Sequence, residues 1–559
     1  MKIPVSTLFF FICYFSFSQN SEKQEVDYPI AKKTPYYFVT HGDTVSQPYF
    51  WMRTKDTPDI INYLSAENTY SDFRMKSSNI LQKKIFEEMR GLMKENNVSR
   101  PNKLDNYYYY SRSEEGKEHS IECRKKDSLT AKEEIVLDPN IQAKEFGYFQ
   151  IAGFELSQDH SLLAYSINTE GGDFGTLCIK NIAKDSVFKE RISQVGGFIL
   201  LSDNSTLYYL KKDPKTKLGN QLFKHIIGTD TLTDVLIFEN LEGSGYLNIN
   251  LSESKRFVFI TTVFMGWTGD IYVIDLESTD HSMRKINLGE KGIQSSIMHV
   301  DGDYFIQTTN KNAPDNIVKE IEIKNPKNER VLFPEEKGAV IESFSVKGNY
   351  YIVSRLKNGM NELLTIERKT QKRTQIIGPE SIGVINYSNK LKYDSTSIEY
   401  SFSSLITPTT IYKYNLINNT SEIVWRDTVK NYDPTLYKTE RIWAKSRDGK
   451  KIPIDLVYKK SMKRNGENPM YITAYACYGM NQDPNFNKAF LPYLNRNFVC
   501  AIAHPRGESL LGKHWHDDGK MMKKQNTIND FVDCTQSLID SSYTMPKKSL
   551  LKAEARVDC

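Results

Sequence analysis

From about residue 100 to 430 the chain repeats one pattern: a short polar turn holding Asp, Gly or Asn, then a strand of alternating or aromatic apolar positions. The copies are Asp105 before Tyr107–Tyr110, Asp159 before Leu162–Tyr165, Asp203 before Leu207–Leu210, Glu253 before Phe257–Ile260, Gly302 before Tyr304–Ile306, Gly348 before Tyr350–Val353, and Asp394 before Ile398–Phe402. Successive turns stand 44 to 54 residues apart. This period, made of short strands and tight turns, predicts the four-stranded blades of a β-propeller. A lone blade leaves both faces bare, whereas radial stacking covers them and leaves only short edges. Seven turns predict seven blades over residues 99–432. An irregular pair of β-sandwiches is the competing expectation, but sandwiches do not repeat at this period.

The flanks carry other patterns. Residues 56–98 are expected to be helical: Pro58-Asp59-Ile60-Ile61 opens a helix, and Leu64, Leu81, Ile85 and Met89 recur at helical spacing. After 433, strand and helix alternate. Ile452–Tyr458 and Met470–Tyr475 are predicted strands, and Phe498–Ala503 is the continuous apolar run of a buried parallel strand. A helix is expected from Thr527, as its cap, to about Asp540. This is the opening of an α/β domain.

Composition narrows the function. With 559 residues, 39% apolar and 26% charged, the chain suits a soluble protein of two or three domains. Its 74 basic and 69 acidic side chains leave a net +5, too dilute to suggest a nucleic-acid partner. The Tyr107–Tyr110 run is expected to be strand core rather than a stacking platform, because no basic groove residues interleave with it. Lys2, the apolar run Val5–Phe17 and Ser16-Phe17-Ser18 follow secretory grammar, so residues 1–18 are expected to be a signal peptide cleaved before Gln19 and the protein to be exported, periplasmic or secreted. An uncleaved anchor is the alternative, but the run is short for a span; Cys13 lacks the small preceding residue of a lipidation site. No later apolar run nears the roughly 20 residues needed to cross a bilayer. Cys123, Cys178, Cys477, Cys500, Cys534 and Cys559 form no C-x-x-C pair and are expected to be buried thiols, and the nine histidines show no metal spacing. No cofactor or metal is expected.

Several segments together resemble the prolyl oligopeptidases. These are His41-Gly42-Asp43, Pro48–Arg53, Tyr63-Leu64 with Glu67-Asn68, Tyr437–Ala444 with Asp448-Gly449 and Ile452-Pro453-Ile454, Ala503–Glu508, and Lys524–Thr527 with Asp530-Phe531. Leu137–Asn140, Leu163–Ser166 and Leu456–Tyr458 are more similar to the oligopeptidase B branch than to the proline-specific one. The resemblance spans the chain after the signal segment. It implies a seven-bladed propeller capping an α/β-hydrolase domain from 433 onwards, with the 19–98 segment packed on that domain. It also implies serine-type cleavage of short peptides, after basic residues if the oligopeptidase B likeness holds, with proline-specific cleavage as a weaker reading. Tyr475, at the end of its strand, matches a family Tyr whose hydroxyl helps to stabilise the oxyanion; Ala474 and Ala476 stand where the family usually has Gly.

Acyl transfer on this fold needs a Ser on a G-x-S-x-G elbow, followed later by Asp and His. No G-x-S-x-G occurs in the sequence, and the family's position for it falls near Ala555–Val557, where no Ser stands. The nucleophile, Asp and His are thus expected to be absent, and the chain to be a truncated reading of a longer gene, for example through a frameshift near residue 552. The strand Phe498–Ala503 is then expected to lack cover and to present an open edge. Ser509, in Gly507–Gly512 with His504, His514, His516 and Asp517 nearby, is a near miss, because position +2 is Leu511 rather than Gly. The expected function is an oligopeptidase by descent, catalytically incomplete as it stands; the alternative is a propeller protein that binds peptides or a partner without cleaving them.

Overall fold

The computed structural model describes residues 26–553, apart from 55, 95, 173, 214–217, 242–244 and 390. The expected signal peptide and its cleavage site at Gln19, Cys13, Cys559 and the Ala555–Val557 segment lie outside the described residues. The chain divides after Arg90 into two compact units. The first holds a hairpin, Tyr37–Thr40 against Asp43–Ser46, and the helices Pro58–Met75 and Asn79–Gly91. Pro58 occupies the first helical turn, where its fixed φ suits the helix and its missing N–H costs nothing.

In the second unit, residues 102–426 form consecutive antiparallel meanders: five sheets of four strands and one of eight, counted among the described residues. This is a β-propeller. Each strand singled out by the sequence repeat is the second of its meander: Tyr107–Arg112, Leu162–Asn168, Thr206–Lys212, Phe257–Phe264, Tyr304–Thr309, Tyr350–Lys357 and Ser397–Ser403. Tight reversals need a left-handed residue, and the turns before six of these strands supply one at Asp105, His160, Asn204, Lys255, Gly302 and Gly348. The eight-stranded sheet arises because Ile192–Leu200 pairs both with Thr206–Lys212 and, through Ile192 and Val195, with Gly175–Asn181. Neighbouring sheets share their cores, as where Val318 and Phe333 meet Ile341 and Val353. Tyr110 of the tyrosine run is buried, the Tyr109 hydroxyl meets His160 Nδ1 at 2.9 Å, and the Arg124 guanidinium lies 4.3 Å from the Tyr107 ring centre.

The α/β region builds one five-stranded sheet from β1 (Tyr437–Lys445), β2 (Lys451–Lys459), β3 (Met470–Ala474), β4 (Val499–Ala503) and β5 (Ser549–Ala553). The order is β1-β2-β4-β3-β5; β4 runs antiparallel to β2 and parallel to β3, which in turn pairs in parallel with β5. Three helices follow the strands: α1 (Leu491–Asn495), α2 (Lys513–Asp517) and α3 (Lys524–Asp540). Ile454, Leu456, Ile472 and Ala501 pack with Trp515 of α2 and with Cys534 and Leu538 of α3. The described cysteines are all buried, and none of them is in a disulfide.

Two expectations are corrected here. The run Phe498–Ala503 has no open edge: its strand β4 lies between two partners and is buried throughout, because the chain returns to insert it between β2 and β3. The thinly covered strand is β5, where Leu550 and Leu551 are about half exposed (49% and 48%). Thr527 is not the cap of α3. The helix starts at Lys524, and the Thr527 hydroxyl sits a turn inside it, donating to the carbonyls of Arg506 at 2.6 Å and Gly519 at 3.0 Å. It ties the helix to the loop after β4.

Candidate active site

In a parallel sheet, loops leaving the carboxyl ends of adjacent strands converge, and ligands bind there. Here β3 runs into the loop 475–483 and β4 into the loop 504–512. The two interlock through backbone: Gly479 N–H donates to Gly507 O at 3.0 Å, and Ser509 N–H to Gly479 O at 3.2 Å and Asn481 Oδ1 at 3.0 Å. The crossing is too close for side chains. Gly507 has φ +114°, and a Cβ there would collide with the Ala476 carbonyl oxygen; at Gly479, with φ +74°, it would lie 2.6 Å from Ser509 Oγ. Ala476 and Tyr478 hold left-handed backbone, at φ +50° and +57°. That conformation costs a non-glycine residue about 1 kcal/mol or more and persists only where the surroundings impose it. Lys524, at the start of α3, imposes it in part, its Nζ donating to Ala476 O at 2.8 Å.

Tyr475 is the first residue past β3 and is half-buried between the buried Ala474 and Ala476. On β2 and the loop after β4 lies a group of charges removed from water. Asp455 on β2, His504 and Glu508 have fully buried side chains, and His504 bridges the two acids, Nε2 to Asp455 Oδ2 and Nδ1 to Glu508 Oε2, each at 3.0 Å. Both ring nitrogens face acceptors, so the imidazole is held as a cation. Burial alone would lower its pKa, but Glu508 and Asp455 outweigh burial and push it up to about 9. Burial likewise acts to raise the Asp455 carboxyl, yet the bonds from Arg441 and His504 hold it down at about 2. Arg441 forks onto Asp455, with Nε and Nη2 each 2.6 Å from an oxygen. Its remaining Nη1 reaches into the propeller, to the Gly359 carbonyl and, at 2.9 Å, Met360 Sδ. Two cations and two anions make this group neutral. A second ion cluster, Arg506 on Asp530 at 2.6 Å and on Asp448 at 2.6 Å, fixes α3 to the same loop.

The loop ends at Asp483, whose charge acts on Glu342 of the propeller strand Ala339–Lys347. Both residues are exposed, and the protein crowded around each carboxylate still disfavours its charge. Glu342 is pushed up to about 7, by burial first and then by Asp483; Asp483 is raised by burial and then by Glu508. Asn361 Nδ2 holds Glu342 Oε2 at 3.1 Å.

Around Ser509 no relay assembles. Its Oγ and the His516 ring both abut Gly479, but His516 Nδ1 is spent on Gly507 O at 3.0 Å. His504 is committed to Asp455 and Glu508, His514 is exposed, and Asp517 pairs with Lys513 and Lys520 at 2.6 and 2.5 Å. Among the described residues no group of three or more His, Cys, Asp or Glu is arranged to hold a metal. Sequence reading singled out Tyr475 and passed over Asp455, Glu508, Asp483 and Glu342. Asp455 left a trace, as a lone charge inside the apolar strand Ile452–Tyr458; Glu342, brought in from a distant strand, left none.

Comparison with known proteins agrees with this architecture. Residues 28–427 match the family model described as prolyl oligopeptidase, N-terminal beta-propeller domain, and residues 484–551 match that of the prolyl oligopeptidase family. The chain is 28% identical over 548 residues to dipeptidyl aminopeptidase BI of Pseudoxanthomonas mexicana, covering 92% of this chain and 74% of that protein. It is 29% identical over 530 residues to protease 2 of Moraxella lacunata, covering 93% and 76%. Its fold superposes on oligopeptidase B from Leishmania major with TM-score 0.89 at 24% identity, over 95% of this chain and 78% of that one. For oligopeptidase B from Trypanosoma brucei with covalently bound antipain, the values are 0.88, 24%, 94% and 78%.

Proposed function

Because this chain belongs to the prolyl oligopeptidase family, a family of serine peptidases, we propose that it acts on short peptides bearing basic side chains, which it holds between propeller and α/β domain. The observation that carries this reading is the Glu342–Asp483 pair. Crowding by protein and the Asp483 charge together keep a proton on Glu342 into the neutral range. A lysine or arginine side chain lying between them replaces that proton with a full counter-charge and two charge-assisted hydrogen bonds. Tyr475 is assigned to the oxyanion, a kind of donor worth about 3 kcal/mol in a complete site. The same reading takes the eight-stranded sheet as two blades joined at the Ile192–Leu200 edge, giving a seven-bladed propeller. A second reading, peptide binding without turnover, is favoured by the surroundings of Ser509, where His504 and His516 are spent on other partners.

The test pairs binding with hydrolysis. Calorimetry with an arginine peptide and its citrulline counterpart should show the arginine form binding at least about tenfold tighter, with that margin lost in E342Q and D483N. Equal affinities would reject the basic-substrate reading. A fluorogenic version of the arginine peptide then separates the two roles: turnover blocked by a serine-reactive phosphonate favours the peptidase, and binding without turnover favours the second reading.

A further inference from the structure

The loop 475–483, which carries Tyr475 and Asp483, contains no helix and no strand beyond its bridge to Glu508, so its shape must come from what grips it. The grip is Glu508. Its backbone pairs with Gly479 in an isolated bridge, and one carboxylate oxygen receives the Gln482 N–H at 3.4 Å while the other is held by His504. From His504 the contacts continue through Asp455 to Arg441, and from Arg441 to the carbonyl of Gly359. Gly359 is the tip of the propeller hairpin that joins Tyr350–Lys357 to Met360–Glu367, with φ +72° after Asn358 at +52°. That tip also rests on the loop of Glu508 itself: a Cβ at Gly359 would lie 3.2 Å from Leu511 Cδ2 and 3.4 Å from Leu510 Cγ. One propeller turn thus touches both ends of a continuous chain of buried ion pairs.

We infer that Arg441, Asp455, His504 and Glu508 are positioning residues that make the order of the Tyr475–Asp483 loop depend on the seating of the Asn358-Gly359 hairpin. Buried ions suit this task. Each is satisfied only while its neighbours hold station, and a buried charge left without its partner is strongly destabilising. If the hairpin lifts, Arg441 loses a carbonyl acceptor, the fork on Asp455 is free to turn, and the His504–Glu508 pair no longer fixes Gln482. A substrate loop is then ordered only when the propeller is docked. This inference rests on the reading of that loop as part of the peptide site, but its test does not involve peptide.

Amide hydrogen exchange on the full chain, read by peptide, tests it. E508Q and R441K should each speed exchange in 475–483 at least about tenfold, while the strands 451–459 and 499–503 keep their protection. Gly359→Ala, which keeps all four ionic side chains, should do the same by pressing the hairpin off Leu511 and the Arg441 guanidinium. D533N, which breaks the exposed pair with Arg447, should leave the loop as it was. Loosening of the loop by E508Q alone would overturn the inference, because the grip would then be local and blind to the propeller. Should R441K loosen the whole sheet, the Gly359→Ala variant decides: a loop at the wild-type rate rejects the coupling. Loss of the arginine preference in the binding assay with exchange behaving as expected would reject the proposed substrate and leave the coupling standing.

Discussion

Propeller and α/β region both bury charge, but they do so over different distances along the chain. In the propeller many partners are strand neighbours, as His225 with Asp234 and Arg355 with Glu362, nine and seven residues apart, while Arg100 forks onto Glu399 across 299. In the α/β region local pairs such as Arg441–Asp455 and His504–Glu508, 14 and four residues apart, are joined by partners from far along the chain, Asp455 and His504 by 49 residues and Arg506 and Asp448 by 58. A hairpin brings its own ions together, so local pairs come with each turn of a repeat. Long-range pairs exist only once the sheet order β1-β2-β4-β3 is complete, and they report the tertiary fold.

The sharpest way to break this comparison is to remove one ion from each side. Asp455→Ala leaves Arg441 and His504 buried without their acceptor and should cost about 3–5 kcal/mol in chemical denaturation. Lys347→Met replaces a lysine whose side chain is 1% exposed, in the propeller, with an apolar chain of similar length. Its amine bonds only the Leu391 carbonyl closely, at 2.8 Å, and stands 3.6 Å from Glu253, so the change should be close to neutral, within about 1 kcal/mol. Equal losses in the two variants would erase the distinction.

The pH dependence of stability should separate the regions next, because the two buried cations shift in opposite directions. His504 is raised from 6.5 to about 9 by Glu508 and Asp455. Its stabilising contribution is therefore full below pH 6.5 and lost as pH climbs to about 9, roughly 3 kcal/mol in all. Lys347 is lowered by burial, so its penalty is relieved as pH rises towards 10.5. Denaturation midpoints between pH 6.5 and 9 should fall in the wild type and in K347M, and flatten in H504Q. A fall that persists in H504Q would assign the alkaline limb to other groups.

Backbone substitutions come third. Gly507→Ala meets both a forbidden φ and the Ala476 carbonyl, and should cost at least about 2 kcal/mol. Gly228→Ala, in a propeller turn at φ +89° with nothing within 4 Å, pays only the left-handed strain, about 1 kcal/mol. Thermal melts of both variants measure the difference directly.

The contrast also explains what the sequence made legible. The propeller repeat announces itself because each meander is set by neighbours: a polar turn that tolerates positive φ, then an apolar strand, as at Gly302 before Tyr304. The same locality made β2, β3 and β4 readable. Thr527 misled as a cap because its hydroxyl answers carbonyls 21 and eight residues away rather than the start of its own helix. The sheet order, which put β4 inside and left Leu550 and Leu551 at the rim, follows from pairings no single segment contains. Tyr475 was found by resemblance at a strand end. Glu342 and Asp483, 141 positions apart by their numbers, met only in three dimensions.

Glu342 is the propeller group placed in the proposed peptide site, and it gives the smallest effect. Its carboxyl, pushed up to about 7 by burial and by Asp483, is half protonated near neutrality. A basic side chain binds the ionised form, so each proton released on binding must be counted against the affinity. Arginine-peptide affinity should therefore rise as pH goes from 6 to 8, by about tenfold, because the fraction of Glu342 already ionised grows from about one-tenth to nine-tenths. The citrulline peptide, which carries no charge, should show no such slope, and E342Q should remove it for arginine. A slope that survives in E342Q but vanishes in D483N would place the titrating proton on the α/β side of the pair, and the propeller would then supply shape to this site without supplying charge.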